Sequence, residues 1–164
     1  MTYLLDTSTL VSHWLKGKGF ELAAEVLAQE AYCSVLSLLE FGTLMRTQGV
    51  ENPVRAGLLR DYEHALQGVF GVDSQTVELA DWLRTKTTTR LPTVDALIAA
   101  TALQHKAILI HADNHFRSIP HACLVTVDIR DAPRSAAFPS SVRETASRYG
   151  IRTNKAGRGN KTVR

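Results

Sequence analysis

Short apolar runs alternate with longer stretches of helical period along most of the chain. Tyr3-Leu4-Leu5 is a short strand that ends at Asp6, and Thr7 to Leu15 then carries a helical pattern with Ser8 as its cap. Phe20 to Gln29 is amphipathic, with Leu22, Val26 and Leu27 on one side. Tyr32 to Val35 predicts a second strand. Ser37 opens a helix through Leu38, Leu39, Phe41, Leu44 and Met45 that stops near Gly49. Asn52-Pro53 marks another helix start, a capping amide followed by proline at the first helical position, and that helix runs to about Gln67. Gly68 to Val72 predicts a third strand and Ser74 to Lys86 a helix. After the polar break Thr87 to Arg90, Pro92-Thr93 opens an alanine-rich helix to about Lys106. Ala107 to Ile110 and Leu124 to Val127 predict the fourth and fifth strands. Strands alternating with helices imply an α/β fold, with a parallel sheet covered on both faces.

The pattern ends at Asp131. Beyond it Pro, Ser, Arg and Gly dominate, with one short helical stretch expected around Ser141 to Tyr149. Charge divides at the same place. Residues 1–132 hold 11 Lys/Arg against 15 Asp/Glu, a net of −4, whereas residues 133–164 hold 8 Lys/Arg against Glu144 alone, a net of +7. The whole-chain +3 therefore conceals an acidic domain (1–132) and a basic C-terminal tail (133–164), expected to be flexible. With 164 residues, 45% hydrophobic and 21% charged, the chain has the composition of one soluble globular domain, not a coiled coil or a disordered chain.

Cys33 and Cys123 each lie in an apolar run and are expected as buried strand thiols. Two isolated cysteines with no CxxC spacing supply neither a disulfide framework nor a zinc site. The Met-Thr-Tyr-Leu-Leu-Asp start lacks a basic n-region, so no ordinary signal peptide is expected. No apolar stretch reaches about 18 residues, so neither a transmembrane helix nor a membrane partner is expected and a cytoplasmic location is.

In a parallel α/β sheet, ligands bind beyond the carboxyl ends of the strands. Asp6 ends the first strand and Asp113 follows the fourth. Asp95 precedes a strongly apolar helix and Glu40 lies inside one, positions that are costly for an unpaired carboxylate. Each acid also has an ordinary structural explanation. Glu40 could close a capping box with Ser37, Asp95 could complement a helix N-terminus, and Asp6 and Asp113 could be turn acids. Converging, the four would stay ionised together only around a cation, and an all-oxygen donor set with open positions suits Mg²⁺ or Mn²⁺.

The segments Tyr-Leu-Leu-Asp6-Thr-Ser8, Leu-Ser-Leu-Leu-Glu40-Phe-Gly, Thr-Val-Asp95-Ala-Leu-Ile-Ala-Ala-Thr-Ala and Leu-Ile-His-Ala-Asp113-Asn-His-Phe116 resemble the four motifs of PIN-domain ribonucleases. The short length and the Asp95 helix most resemble VapC-type toxins of type II toxin–antitoxin pairs. The resemblance covers about residues 1–130 and implies an α/β/α sandwich around a central parallel sheet of about five strands. It implies a metal-dependent endoribonuclease in which Asp6, Glu40, Asp95 and Asp113 bind Mg²⁺ or Mn²⁺ and Ser8 supports Asp6. Metal-activated water would attack the phosphodiester in line, leaving 5′-phosphate and 3′-hydroxyl ends. A homodimer and a cognate antitoxin that blocks the acidic groove are implied as well. The chain departs from the pattern at two places. His111 stands where a Thr is usual two residues before the last Asp, and His115 where another acid often follows.

Other chemistries fit less well. His111, Asp113 and His115 are zinc-ligand types, but His13, His64, His105 and His121 lie in no matching motif. A haloacid-dehalogenase-type phosphatase needs Asp-x-Asp where this chain has Asp6-Thr7-Ser8, and a receiver-like phosphoacceptor needs paired acids after its first strand. A housekeeping RNA-processing PIN nuclease and a non-catalytic RNA- or partner-binding PIN module remain as alternatives. In the tail, Arg143, Arg148, Arg152, Lys155, Arg158 and Lys161 recur every three to five residues. They make either a solubilising tail or a non-specific electrostatic contact to RNA phosphates.

Overall fold

The computed structural model describes residues 1–131. Five strands alternate with six α-helices in the order β1 (Tyr3–Leu5), α1 (Thr7–Trp14), α2 (Phe20–Leu27), β2 (Ala31–Ser34), α3 (Val35–Thr47), α4 (Asn52–Ala65), β3 (Gly68–Phe70), α5 (Ser74–Lys86), α6 (Thr93–Gln104), β4 (Ile108–His111) and β5 (Thr126–Asp128). A 3₁₀ turn, His115–Ser118, lies between β4 and β5. The strands form one sheet in the order β3-β2-β1-β4-β5, and every pairing is parallel.

The side-chain alternation of the central strands creates two cores. Tyr3 and Leu5 of β1 and Ile108 and Ile110 of β4 face one layer, with Leu10 of α1, Val26 of α2, and Phe41 and Met45 of α3. Leu4 and Leu109 face the other, with Leu83 of α5 and Ile98, Ala99 and Ala102 of α6. The result is the α/β/α sandwich. Each leucine fully buried in this way contributes roughly 1.5–3 kcal/mol. Helix α6 is apolar almost all round because the fold buries most of it: Ala96, Ile98, Ala99, Ala100, Thr101 and Ala102 are all shielded.

Several boundaries differ from those the pattern predicts. Asp6, not Ser8, caps α1, and its side chain accepts from the Ser8 backbone N–H. Helix α3 begins at Val35, not Ser37, because Ser34 caps it by accepting from Leu36 N–H. Ser37 Oγ is instead buried with no hydrogen-bond partner, which removes the capping box with Glu40. Asn52 is the first residue of α4 rather than its cap; Glu51 holds that place without a side-chain bond, and Pro53 lies in the first turn. β3 stops at Phe70, and β5 begins at Thr126. Cys33 is buried in β2, where burial and then Glu63 push its thiol up to about 12. Cys123 is only half-buried and precedes β5. No helix among the described residues is long and apolar enough to cross a membrane. The helical stretch expected at 141–149 lies outside the described residues.

The topology places the site. The connection leaving β1 runs toward its neighbour β2, and the one leaving β4 runs the opposite way toward β5, so the switch point lies between the adjacent strands β1 and β4. A crevice opens at such a switch point in any open α/β sheet.

Candidate active site

Asp6 stands at that crevice. Its backbone N–H donates to the Ile110 carbonyl of β4 at 2.9 Å, which binds the carboxyl ends of β1 and β4 together. Its Oδ2 accepts from Ser8 N–H at 3.0 Å and from Ser8 Oγ at 2.5 Å. Ser8 Oγ in turn accepts from Ala112 N–H at 2.8 Å, so one hydroxyl joins the first acid to the strand that delivers Asp113. Glu40 comes from the middle of α3 and is steadied by Thr7 Oγ1, which donates to Glu40 Oε2 at 2.6 Å. Asp95 lies in the first turn of α6, half-buried. Asp113 follows β4 by two residues and accepts from His115 N–H at 2.8 Å.

The structure brings Asp6, Glu40, Asp95 and Asp113 to one open pocket of about 850 Å³, which Thr7, Ser8 and Ala112 also line. Burial and neighbouring charge act on two of them. Asp6 is only 3% exposed, and its carboxyl is pushed up to about 7. Burial is the main cause and the charge of Asp95 adds to it, against the opposing hydrogen bonds from Ser8. Asp95 is also raised, by burial first, then by Asp113 and Glu40, while His115 pulls the other way. Asp6 and Asp95 are each disfavoured as charged groups by burial and by a neighbouring acid, a pattern that a bound cation would relieve. His115 Nδ1 lies 3.0 Å from Asp95 Oδ2 and 3.1 Å from Asp113 Oδ1, although the imidazole is half exposed. One ligand atom from each of Asp95, Asp113 and His115 falls within 4.8 Å of the others, close enough to share one ion. A buried carboxylate without a cation partner, three further acids and open space between them make a donor set that fits Mg²⁺ or Mn²⁺.

His111 is placed differently. It is 1% exposed at the end of β4, packs against Phe116 at 5.1 Å between centroids, and its Nδ1 has no hydrogen-bond partner. Burial lowers its pKa, which keeps the ring neutral, and it does not line the pocket. Arg143, Arg148, Arg152, Lys155, Arg158 and Lys161 lie outside the described residues. Among the pocket residues that the sequence reading did not assign to the site are Thr7, Lys18 and Arg130. Arg130 had a signal, since it follows the last strand on the carboxyl-end side of the sheet where the acids gather. Thr7, the first residue of α1, and Lys18, in the loop after it, carried no such signal.

A family profile described as PIN domain matches residues 3–122. No curated protein matches the chain. Among solved structures, the fold is similar to VapBC2 of Rickettsia felis bound to a promoter DNA fragment, at 20% identity and a TM-score of 0.63, covering 77% of this chain and 98% of that one. It is similar to DNA-bound VapBC of Salmonella typhimurium, at 16% identity and a TM-score of 0.65, covering 79% and 98%. It is also similar to FitAcB of Neisseria gonorrhoeae, at 18% identity and a TM-score of 0.60, covering 80% and 100%. At these identities the likeness establishes the fold. With the profile spanning most of the chain and the four acids gathered at the switch point, the chain belongs to the PIN domain family.

Proposed function

We propose that the chain is a divalent-metal-dependent endoribonuclease and the toxin of a toxin–antitoxin pair. The observation that carries the catalytic part is the convergence of Asp6, Glu40, Asp95 and Asp113 on one pocket, with Asp6 buried and its pKa raised to about 7. Asp6, Glu40, Asp95 and Asp113 would hold Mg²⁺ or Mn²⁺. With the ion bound, the centre would supply an activated water and positive charge against the phosphodiester. The rest falls to the chain's own residues. Ser8 fixes the Asp6 oxygen that it bonds, Thr7 fixes the Glu40 oxygen, and His115 holds Asp95 and Asp113 together. Residues held by such bonds need little rearrangement when the substrate arrives.

The toxin part rests on the company the fold keeps. The similar structures are described as VapBC and FitAcB, and one from Klebsiella pneumoniae as a toxin–antitoxin complex. The reading includes a cognate antitoxin, a homodimer and a cytoplasmic location. The basic segment 133–164 completes it by capturing RNA phosphates electrostatically, which the acidic domain does poorly.

The test is to incubate the purified full chain with total cellular RNA in Mg²⁺, Mn²⁺ or EDTA and to identify the new ends. Fragments with 5′-phosphate and 3′-hydroxyl ends, absent in EDTA, are expected. Fragments with cyclic phosphate or 5′-hydroxyl ends would contradict the metal-activated water.

A further inference from the structure

Two cations, Lys18 and Arg130, line the same pocket as the four carboxylates. They lie far apart in the chain, and the backbone segments that carry them come together at Gly19. Its φ is +87°, and a Cβ there would lie 2.5 Å from the carbonyl oxygen of Ile129. Only glycine allows that approach, so the residue after Lys18 touches the residue before Arg130. The Lys18 loop is pinned by Ser12 Oγ, which donates to the Lys18 carbonyl at 2.9 Å, and by Gly17 N–H, which donates to Ser12 O at 2.8 Å.

Arg130 is held by one edge of its guanidinium. Nε donates to Asp128 Oδ1 at 2.8 Å; Nη2 donates to Asp128 Oδ2 at 2.5 Å and to Asn114 Oδ1 at 2.8 Å. Among the described residues Nη1 bonds to nothing. Asp128 is shared with Arg117, whose Nη2 donates to its Oδ2 at 2.6 Å, so two guanidinium groups meet this carboxylate. The side chain is thus oriented before any ligand arrives, with two N–H groups free. A planar, permanently charged donor of this kind suits a phosphate oxygen, and Lys18 adds a point charge to the lining of the same pocket.

We propose that Lys18 and Arg130 form a phosphate-binding subsite that holds an RNA backbone phosphate next to the scissile one. The proposal rests on the ribonuclease reading above and deepens it. An RNA strand brings several negative charges to a pocket that already carries four carboxylates. Ions held by Asp6, Glu40, Asp95 and Asp113 would offset charge at the scissile phosphate, and the neighbouring phosphate needs a cation of its own. The wall built by the Gly19–Ile129 contact supplies two. It thereby fixes where the strand crosses the acids.

The test compares the wild-type full chain with Lys18→Gln, Arg130→Gln, Arg130→Lys and the double Gln variant. Binding of a single-stranded RNA oligonucleotide is followed by fluorescence anisotropy, with Ca²⁺ in place of Mg²⁺, over a series of KCl concentrations. Each Gln substitution is expected to raise Kd about 3- to 10-fold and to lower the slope of log K against log salt by about 0.7, the double variant by about twice that. In cleavage, KM should rise while kcat stays within about twofold. Arg130→Lys should restore the salt slope but not the full affinity. A purely structural role for Arg130 would lower kcat and Tm and leave the slope unchanged. If the wild type cleaves RNA and the double variant keeps the wild-type slope, the subsite is wrong and the ribonuclease reading stands. If the wild type neither binds nor cleaves RNA, both fall.

Discussion

Ser8 Oγ donates to Asp6 Oδ2 at 2.5 Å while accepting from Ala112 N–H at 2.8 Å. One hydroxyl therefore orients the most deeply buried acid and registers it against the loop that carries Asp113. Ser8→Ala removes both bonds and leaves an amide and a carboxylate short of a partner. The expected cost is roughly 1–3 kcal/mol in stability, together with a fall in kcat of about tenfold or more from misplacing Asp6. Chemical denaturation and single-turnover cleavage measure the two separately. Ser8→Thr should recover most of both.

Asp6 gives a stability prediction opposite in sign to its functional one. Its carboxyl is raised to about 7 in the metal-free fold, chiefly by burial, from the ordinary 3.8. The folded state therefore keeps a proton that the unfolded chain has released, and metal-free stability falls as pH rises from about 4 to about 7. Asp6→Asn escapes this loss. At pH 7 and above the metal-free variant should be more stable than wild type by roughly 2–4 kcal/mol, and near pH 4 the two should converge. Adding Mn²⁺ should raise the wild-type Tm and leave the variant's nearly unchanged. A variant less stable than wild type at pH 8 in EDTA would contradict this description of the site.

Asp128 works the other way. Burial alone would raise its carboxyl, but hydrogen bonds from Arg130 and Arg117 outweigh burial and hold it well below the usual carboxylate range. A depressed folded value contributes stability that is present above the unfolded pKa near 4 and is lost as pH falls through the folded value. Asp128→Asn should therefore cost stability at neutral pH, roughly 1–3 kcal/mol, and the gap should close in strong acid. Urea titrations across that pH range would show it.

His115 touches both Asp95 and Asp113. An imidazole nitrogen among carboxylates favours Mn²⁺ over Mg²⁺, whereas oxygen ligands alone suit both. His115→Asp should reduce the preference for Mn²⁺, and His115→Ala should weaken Mn²⁺ binding by about tenfold. Titration calorimetry with each ion reads this directly. Equal Mn²⁺ affinity in all three proteins would remove His115 from the metal centre.

Deleting residues 132–164 removes 8 Lys/Arg and one acid. The truncated chain should bind RNA more weakly and with a shallower salt dependence, while its single-turnover cleavage rate at saturating RNA is unchanged. The described domain ends at Asp131 with its two cores already formed, so its Tm should barely move.

The acids were legible because the topology was. Once Tyr3-Leu4-Leu5 and Ala107 to Ile110 are strands of a parallel sheet, Asp6 and Asp113 must fall at its carboxyl edge, and the apolar run after Asp95 leaves that acid few places to go. Finer contacts were not legible, since they depend on which residue ends a strand. Ser34, not Ser37, lies where β2 turns into α3, so Glu40 loses its expected capping partner and is bonded by Thr7 from across the pocket. His111 looked like a candidate beside the acids, but as the last residue of β4 it points into the core against Phe116. Arg130 carried only the signal of its place after the last strand; the bonds to Asp128 and Asn114 that orient it match no sequence pattern.

The most direct test of the account is single-turnover cleavage of an end-labelled RNA by wild type, Asp95→Asn and Asp6→Asn, each in Mn²⁺ and in EDTA. Wild type should cut only with Mn²⁺, and each substitution should lower the rate at least about a hundredfold in a protein that remains folded. Cutting that survives EDTA or both substitutions would contradict a carboxylate-held metal as the source of activity.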